Sequence, residues 1–358
     1  MQTVKNQTYL PRFTTHRHEG SGEVYVLAGD LGGTKTNLAL FSATGETLKI
    51  LQEHTYRSRE YGSFTEIIQH FITQHPDTPP ERICIGVAGP VIKGRVELTN
   101  LSRDLSEDEI RENTGLNQVA LINDLEATAY GLATLSPDKL LTLHKGNAEH
   151  KGNMAIIAPG TGLGEAGLYW DGKAYHPFPT EGGHCDFSPR TDLDMELLKY
   201  LQEKYEVASW ERLISGPGIN NIYFFLRDVK GMDEPAWLAK AMEEKDTAAV
   251  ISENGIGRKA PICIKTMELF VRYLGREASN LVLKMKATGG LFLGGGIPPK
   301  IAPLLENNDF YNHYLQSDRM VELLSAVPIH IINNDKTALW GAAYYGAGMN
   351  VESSHLSS

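Results

Sequence analysis

Twice along this chain an apolar run of strand length ends in a tip built largely of Gly and Thr, and a second strand-like run follows. The first instance runs Val24 to Ala28, then Gly29-Asp-Leu-Gly-Gly-Thr-Lys-Thr36, then Leu38 to Phe41; the second runs Asn153 to Ala158, then Pro159-Gly-Thr-Gly-Leu-Gly-Glu-Ala-Gly167. After Gly167 come Leu-Tyr-Trp-Asp-Gly-Lys-Ala-Tyr, whose aromatics and Asp171-Gly172 turn read as a hairpin. A chain that opens two distant segments in the same way is expected to fold as two α/β halves. Two such tips facing each other across a cleft would grip a string of phosphates from both sides.

The local chemistry fits that expectation. Gly32 and Gly33 permit φ > 0 and put no Cβ in the way of a ligand, so their N–H groups can cradle phosphate oxygens. Asp30, at the end of the first strand, is placed to hold a hydrated Mg²⁺. A Gly-rich turn with a capping Asp is the plainer reading of the same residues. No G-x-x-x-x-G-K-[ST] is present, which excludes a Walker A loop. Gly162, Gly164 and Gly167 formally match G-x-G-x-x-G, but that fingerprint needs a helix after it, and a hairpin is expected there.

Composition narrows the class. At 358 residues the chain is long enough for two cores, and 41% hydrophobic with 22% charged residues is ordinary for a globular protein. A net charge of −10 argues against nucleic acid or an anionic membrane as partner. No apolar run approaches membrane-spanning length, and residues 1–22 lack a leader's apolar core, so a cytoplasmic location is expected. Cys84, Cys185 and Cys263 are too widely spaced for a disulfide framework or a zinc module.

Residues 1–22 carry no periodicity and read as a flexible arm. Beyond them strands and helices alternate: a helix over Gly62–Gln74, a strand over Arg82–Ala88, a hairpin over Val91–Thr99, and a Ser106/Glu109 capping box opening a short helix. A strand over Val119–Ile122 then gives way at Asn123-Asp124 to a helix over Leu125–Leu135. Ligands commonly meet α/β sheets at such strand ends, though an Asx cap explains these two residues equally well. Polar residues 137–152 mark a crossing into a second domain. Further on, helices are expected over Asp192–Tyr205, Ile219–Val229, Ala236–Asn254, Pro261–Lys286 and Asp335–Gly348, with strands at Leu291 and Ile329–Ile332. The domains are therefore residues 23–136 with 335–358, small and α/β, and residues 137–334, large and α/β.

Three further polar islands stand out. In Thr180-Glu-Gly-Gly-His-Cys-Asp-Phe187, Glu181 can accept two sugar hydroxyls and His184 can donate and accept, whereas a buried structural His is the plainer alternative. Glu211 precedes Ser-Gly-Pro-Gly218 and reads equally as a surface ion-pair partner. Gly294-Gly295-Gly296 bares backbone on which an adenine or ribose ring can pack, or simply turns the chain.

Taken together, Asp30-Leu-Gly-Gly-Thr-Lys35, Thr99-Asn100, Ile122-Asn-Asp124, Pro159-Gly-Thr-Gly162, Glu181-Gly-Gly-His184, Glu211-Arg-Leu-Ile-Ser-Gly-Pro-Gly218 and Leu293-Gly-Gly-Gly-Ile297 resemble the bacterial glucokinase family. The resemblance runs from about Val24 to the last helix. It implies the two-domain hexokinase/actin-like (ribonuclease H-like) α/β fold with a nucleotide and sugar cleft between domains. It implies ATP-dependent phosphorylation of glucose at the 6-hydroxyl, the first step of glucose use in glycolysis, with ATP and Mg²⁺ and as a homodimer. By the same resemblance Asp124 is the catalytic base, and Asn123, Glu181, His184 and Glu211 bind the sugar. Gly29, Asp30, Leu31, Gly32, Gly33, Thr34, Lys35, Gly160, Thr161, Gly162, Gly294, Gly295 and Gly296 hold ATP, with Asp30 reaching Mg²⁺ through water. The chain departs from the family where Arg103 stands in place of an aromatic, commonly Trp. The alternatives are a related hexose or aminosugar kinase, whose zinc-binding Cys cluster is absent here, and a non-catalytic sugar-binding regulator, whose helix-turn-helix residues 1–22 are too short to form.

Overall fold

The computed structural model describes residues 10–11, 13, 22–32, 35–45, 47–97, 104–147 and 151–349. Gly33, Thr34, Thr99, Asn100 and Arg103, singled out above, lie outside the described residues. The chain forms two compact units, one within Leu10–Pro137, Leu168–Pro179 and Asn334–Ser358, the other containing Asp138–Gly167 and Thr180–Asn333.

In the first unit, β1 (Val24–Leu31), β2 (Lys35–Thr44) and β3 (Thr47–Arg57) form a meander. Then follow α1 (Phe64–Gln74), β4 (Arg82–Val87), the short pair β5 (Arg95–Val96) and β6 (Leu105–Ser106), α2 (Glu107–Thr114), β7 (Gln118–Asn123) and α3 (Asp124–Gly131). The sheet order is β3-β2-β1-β4-β7, with β1, β4 and β7 parallel. Every residue of β4 is buried, which is why beyond Arg82 it reads as an uninterrupted apolar run rather than an alternating one. One sheet face packs Leu27, Leu31, Ile83 and Ile85 against Ile67, Ile68 and Phe71 of α1. The other face is covered by α3 and by the last helix of the chain.

In this unit one strand is added and three local expectations are corrected. Strand β3 falls in a stretch that carried no expectation, because its half-exposed face is polar. Of the hairpin expected over Val91–Thr99, residues 98–99 lie outside the described residues; the described ones form one bridge within it, Ile92 with Arg95, and Val96 pairs instead with Leu105. Ser106 caps α2 by accepting the Glu109 amide at 3.1 Å, but the Glu109 carboxylate accepts the Thr65 hydroxyl at 3.0 Å instead of reaching back. Phe13, expected to lie outside the fold, is buried against the rings of Tyr130 and Tyr344.

In the second unit the strands are β8 (Leu140–His144), β9 (Met154–Pro159), β10 (Leu163–Trp170), β11 (Tyr175–Thr180), β12 (Gly290–Leu293) and β13 (Ile329–Ile332), ordered β11-β10-β9-β12-β13-β8. Residues 168–179, expected in the large domain, are the outer half of the β10–β11 hairpin and group with the first unit. Strand β8 pairs antiparallel with β13 in a stretch expected to be a polar crossing. Strand β10 follows the second Gly-rich tip, so the dinucleotide fingerprint is excluded by a strand where it needs a helix.

The helices of this unit are α4 (Asp192–Gln202), α5 (Gly216–Asp228), α6 (Ala236–Glu244), α7 (Thr247–Ile256), α8 (Pro261–Met285), α9 (Ala302–Leu305), α10 (Asn308–Tyr314) and α11 (Val321–Ser325). The single helix expected over Ala236–Asn254 is two, because Lys245 takes extended backbone and Asp246, at ψ 119, stays out of the helix and caps α7 by accepting the Ala249 amide at 2.8 Å. Helix α8 is buried along most of its length, with Leu269, Phe270, Tyr273, Leu274, Leu281 and Val282 in the core. The closing helix α12 (Thr337–Ala347) returns to the first unit, where Arg82 donates to the Ala347 carbonyl at 2.6 Å and places a cation at the helix C-terminus.

Candidate functional site

The first unit contributes a carboxyl edge. Parallel register aligns Leu31 with Val87 and Val87 with Asn123, so Asp30 and the Asn123-Asp124 pair stand at the same end of the sheet, two strands apart. Strand spacing makes that separation about 10 Å. Within Gly29-Asp30-Leu31 the period of two decides what each residue can do. Gly29 faces the core, where a Cβ would come within 2.6 Å of Ile85 Cδ1 and 2.8 Å of Leu38 Cδ2, and Leu31 is buried in the same cluster. Only Asp30 presents its side chain to the opposite face, beside its cross-strand partner Asn37. Burial pushes the Asp30 carboxyl above the ordinary range, and the bond from Asn37 opposes that shift.

Gly32 does not use φ > 0, contrary to expectation; its requirement is proximity, since its amide donates to the Lys35 carbonyl at 3.0 Å and a Cβ would meet that oxygen at 3.1 Å. Behind the tip, the buried Ser58 hydroxyl lies 3.0 Å from that of Thr36. Sequence reading passed over Ser58, for which a lone Ser gives no signal. Lys35 is exposed at the start of β2.

At the other end of this edge, one residue of the Asn-Asp pair carries the cap. Asn123 Oδ1 accepts the amides of Leu125 at 2.9 Å and Glu126 at 3.3 Å, while Asn123 Nδ2 donates to the Gly89 carbonyl at 3.0 Å. Asp124 is the first residue of α3, with one carboxylate oxygen 2.9 Å from the Leu125 amide. The Asx-cap reading therefore belongs to Asn123.

The second unit gathers the remaining candidates around the ends of β9 and β12, which are parallel neighbours. Beyond β9 the Gly160 amide donates to the Gly162 carbonyl at 2.8 Å, and the Gly216 amide to the Gly160 carbonyl at 2.8 Å, so α5 starts against this tip. Thr161 is exposed at its apex. Beyond β12, Gly294 donates to Ile157 at 2.9 Å; Gly295 takes φ +77, with Pro159 O only 2.4 Å from where a Cβ would stand. A Cβ on Gly160 would lie 3.9 Å from the Gly296 amide, so the two glycine turns are adjacent.

Glu211 joins the same cluster. Its Oε2 accepts the Leu163 amide at 3.1 Å and lies 2.7 Å from the Cβ position of Gly162, and its ion-pair reading finds no partner among the described residues. The segment Glu181–His184 forms a 3₁₀ turn in which the His184 amide donates to the Glu181 carbonyl at 3.0 Å. His184 Nε2 stands 3.8 Å from Glu181 Oε2, with side chains 61% and 54% exposed, which excludes a buried structural His. Bonds from Phe187 to Ala208 and from Trp210 to Cys185 tie this turn to the segment carrying Glu211.

Sequence reading missed one buried acid here. Glu165, on β10, is 2% exposed and its Oε1 has no hydrogen-bond partner. Burial pushes its carboxyl up to about 8, with the nearby Glu277 charge adding to the rise and Lys284 opposing it. A Glu in a Gly-rich stretch at a strand start gives no signal of burial. Among the described residues no group of three or more His, Cys, Asp or Glu side chains could hold a metal, and no helix is long and apolar enough to cross a membrane.

Comparison with known proteins places these features in a family. A model of the family Glucokinase matches residues 27–349. A glucokinase of Nostoc punctiforme is 38% identical over 336 residues, covering 90% of this chain and 98% of that protein. A solved glucokinase from an Antarctic psychrotroph is 32% identical with a TM-score of 0.79, over 91% of this chain and 99% of that one. The glucokinase of Balamuthia mandrillaris, solved in complex with glucose, has a TM-score of 0.77 over 92% of this chain and 95% of that one; at 23% identity it speaks to the fold alone.

Proposed function

Since the chain belongs to the glucokinase family, we propose that it transfers the γ-phosphoryl group of ATP to the 6-hydroxyl of glucose, releasing ADP and glucose 6-phosphate. The observation that carries this reading is the match to glucokinases along nearly the whole of both chains. The roles of single residues rest on the family resemblance, and chemistry says what each must do. A sugar hydroxyl is a poor nucleophile, so a carboxylate takes its proton as the new bond to phosphorus forms and the bond to the leaving ADP oxygen breaks. Asp124 is that base, a role supported by Asn123 supplying the cap of α3.

Asn123, Glu181, His184 and Glu211 bind the sugar hydroxyls. Glu211 already accepts the Leu163 amide through Oε2, which fixes its carboxylate while the remaining lone pairs serve the ligand. The backbone around Gly32, Gly160–Gly162 and Gly294–Gly296 receives the nucleotide. Gly29 and Leu31 take part through backbone alone, since their side-chain positions face the core. Asp30 suits Mg²⁺: it is a single hard oxygen donor, and its desolvated carboxyl gains from a nearby cation. The ion, when bound, neutralises phosphate charge. The protein works in the cytoplasm, which cell fractionation tests, and as a homodimer, which light scattering on the purified chain tests.

A coupled ADP-release assay over a hexose panel tests the substrate. Glucose is expected to exceed mannose and N-acetylglucosamine in kcat/KM, because a missing or altered hydroxyl leaves polar groups unpaired. Equal values for the three would count against it.

A further inference from the structure

The turn that carries Glu181 and His184 lies flat on the first residues of β10. A Cβ on Gly182 would stand 2.0 Å from Glu165 Oε2, and one on Gly183 would stand 2.1 Å from the Leu163 carbonyl oxygen. Thr180 completes the seat: its hydroxyl donates to the Glu165 carbonyl at 3.1 Å and accepts the Gly182 amide at 3.2 Å. Both glycines of Glu181-Gly-Gly-His184 are thus explained by contact with β10, and the one ionisable side chain in that contact is Glu165.

This side chain has an unusual environment. Glu165 Oε1 is buried without a hydrogen-bond partner, a costly arrangement for a carboxylate and a tolerable one for a neutral carboxyl. The charged groups that act on it come from α8: Glu277, fully buried, and Lys284. Glu277 takes the donors available there, with Asn280 Nδ2 at 2.8 Å and Lys284 Nζ at 3.3 Å, which leaves Glu165 as the acid that keeps its proton. Glu181 and His184, on the turn itself, point toward solvent.

We propose that Glu165 is a positioning residue for sugar recognition: its uncharged carboxyl seats the Glu181–His184 turn on β10, and loss of its proton unseats the turn and weakens the hold on the sugar. This rests on the reading of that turn as part of the glucose site. The window is set by burial, which holds the proton on Glu165 up to about pH 8.

The test is the pH dependence of KM for glucose against kcat between pH 6.5 and 9.5, in the parent and in Glu165→Gln, which keeps the shape and cannot ionise. In the parent, KM is expected to rise several-fold through pH 8 with a smaller change in kcat, and in Glu165→Gln that rise is expected to vanish. A flat parental KM, or an equal rise in both proteins, would overturn the proposal. A second measurement is independent of the substrate: amide hydrogen exchange of residues 180–185 at pH 9 without ligand is expected to be faster in the parent than in Glu165→Gln. Equal exchange would also overturn it. If Glu165→Gln does not fold, the parent's exchange at residues 180–185, corrected for intrinsic rates, still decides: no acceleration through pH 8 sinks the idea. A parent that fails to phosphorylate glucose at any pH would instead refute the function, while exchange still reports on the seat.

Discussion

Asn123 caps α3, the proposed function gives its neighbour Asp124 a separate task, and substitution distinguishes the two. Asp124→Asn removes proton affinity while keeping size, so kcat is expected to fall by about 10² to 10⁴. Its melting temperature should stay near the parental value, because the cap of α3 is on Asn123. A variant that melts early yet turns over at the parental rate would move the base elsewhere. Asn123→Ala should lose stability by about 1 kcal/mol, from a cap that holds two amides. Glu165 makes a prediction about stability as well as binding. Its folded pKa, about 8, lies above its ordinary value of 4.5, so between these the unfolded chain releases a proton that the folded chain retains. Its contribution is fully present below pH 4.5 and is lost as pH rises toward 8. Glu165→Gln should therefore gain melting temperature relative to the parent from pH 5 to pH 8, and a constant difference across that range would refute the raised pKa.

At the scale of elements, α4 and α8 are joined by a buried charge. Asp194 is fully buried, accepts Tyr273 Oη at 2.9 Å and Arg276 Nη1 at 2.8 Å, and also takes the Arg190 and Thr191 amides. Burial alone would raise its carboxyl, but the Arg190 amide, Arg276 and Tyr273 outweigh it and hold the carboxyl below its ordinary 3.8. The stabilisation is therefore present above that value and lost as pH falls through the lower folded one. Asp194→Ala leaves Arg276 buried without its partner and should cost about 3–5 kcal/mol by denaturant unfolding. A loss under 1 kcal/mol would mean that Arg276 finds another acceptor. Helices α3 and α12 meet through glycine: a Cβ on Gly341 would lie 1.7 Å from the Ala127 carbonyl oxygen, and one on Gly131 would lie 2.0 Å from that of Thr337. Gly341→Ala must push backbone against backbone and is expected to cost at least about 1–3 kcal/mol, seen as a lowered melting temperature.

For the molecule as a whole, fold and metal are separable. The two cores are closed by apolar side chains, and no cluster of metal-ligating side chains exists among the described residues. Chelation is therefore expected to abolish glucose phosphorylation and to leave circular dichroism and melting temperature nearly unchanged. Mg²⁺ should restore the rate. Activity that persists in excess chelator would refute the Mg²⁺ requirement, and a large fall in melting temperature would reveal a structural metal.

Several features were fixed by the order of residues alone. The apolar run of Val24–Ala28, the apolar run that follows Arg82 in β4, the helical spacing of α1 and the β9–tip–β10 sequence each select an element by local rules, and the elements form where those rules place them. Identities at the tips, from Asp30 to Gly296, were enough for a family resemblance. The edge strands β3 and β8 were not legible: β3 is half-exposed, with polar residues interrupting its apolar ones, and β8 is five residues long and takes its pairing from β13, far along the chain. The same limit applies within the candidate site. Whether Gly29 bares backbone for a ligand or for Ile85, which of Asn123 and Asp124 caps α3, why two glycines precede His184, and that Glu165 is buried beneath them all depend on what stands opposite in space. Local sequence sets backbone preference, but burial and close approach are properties of pairs, and the partners are chosen only when the sheets assemble.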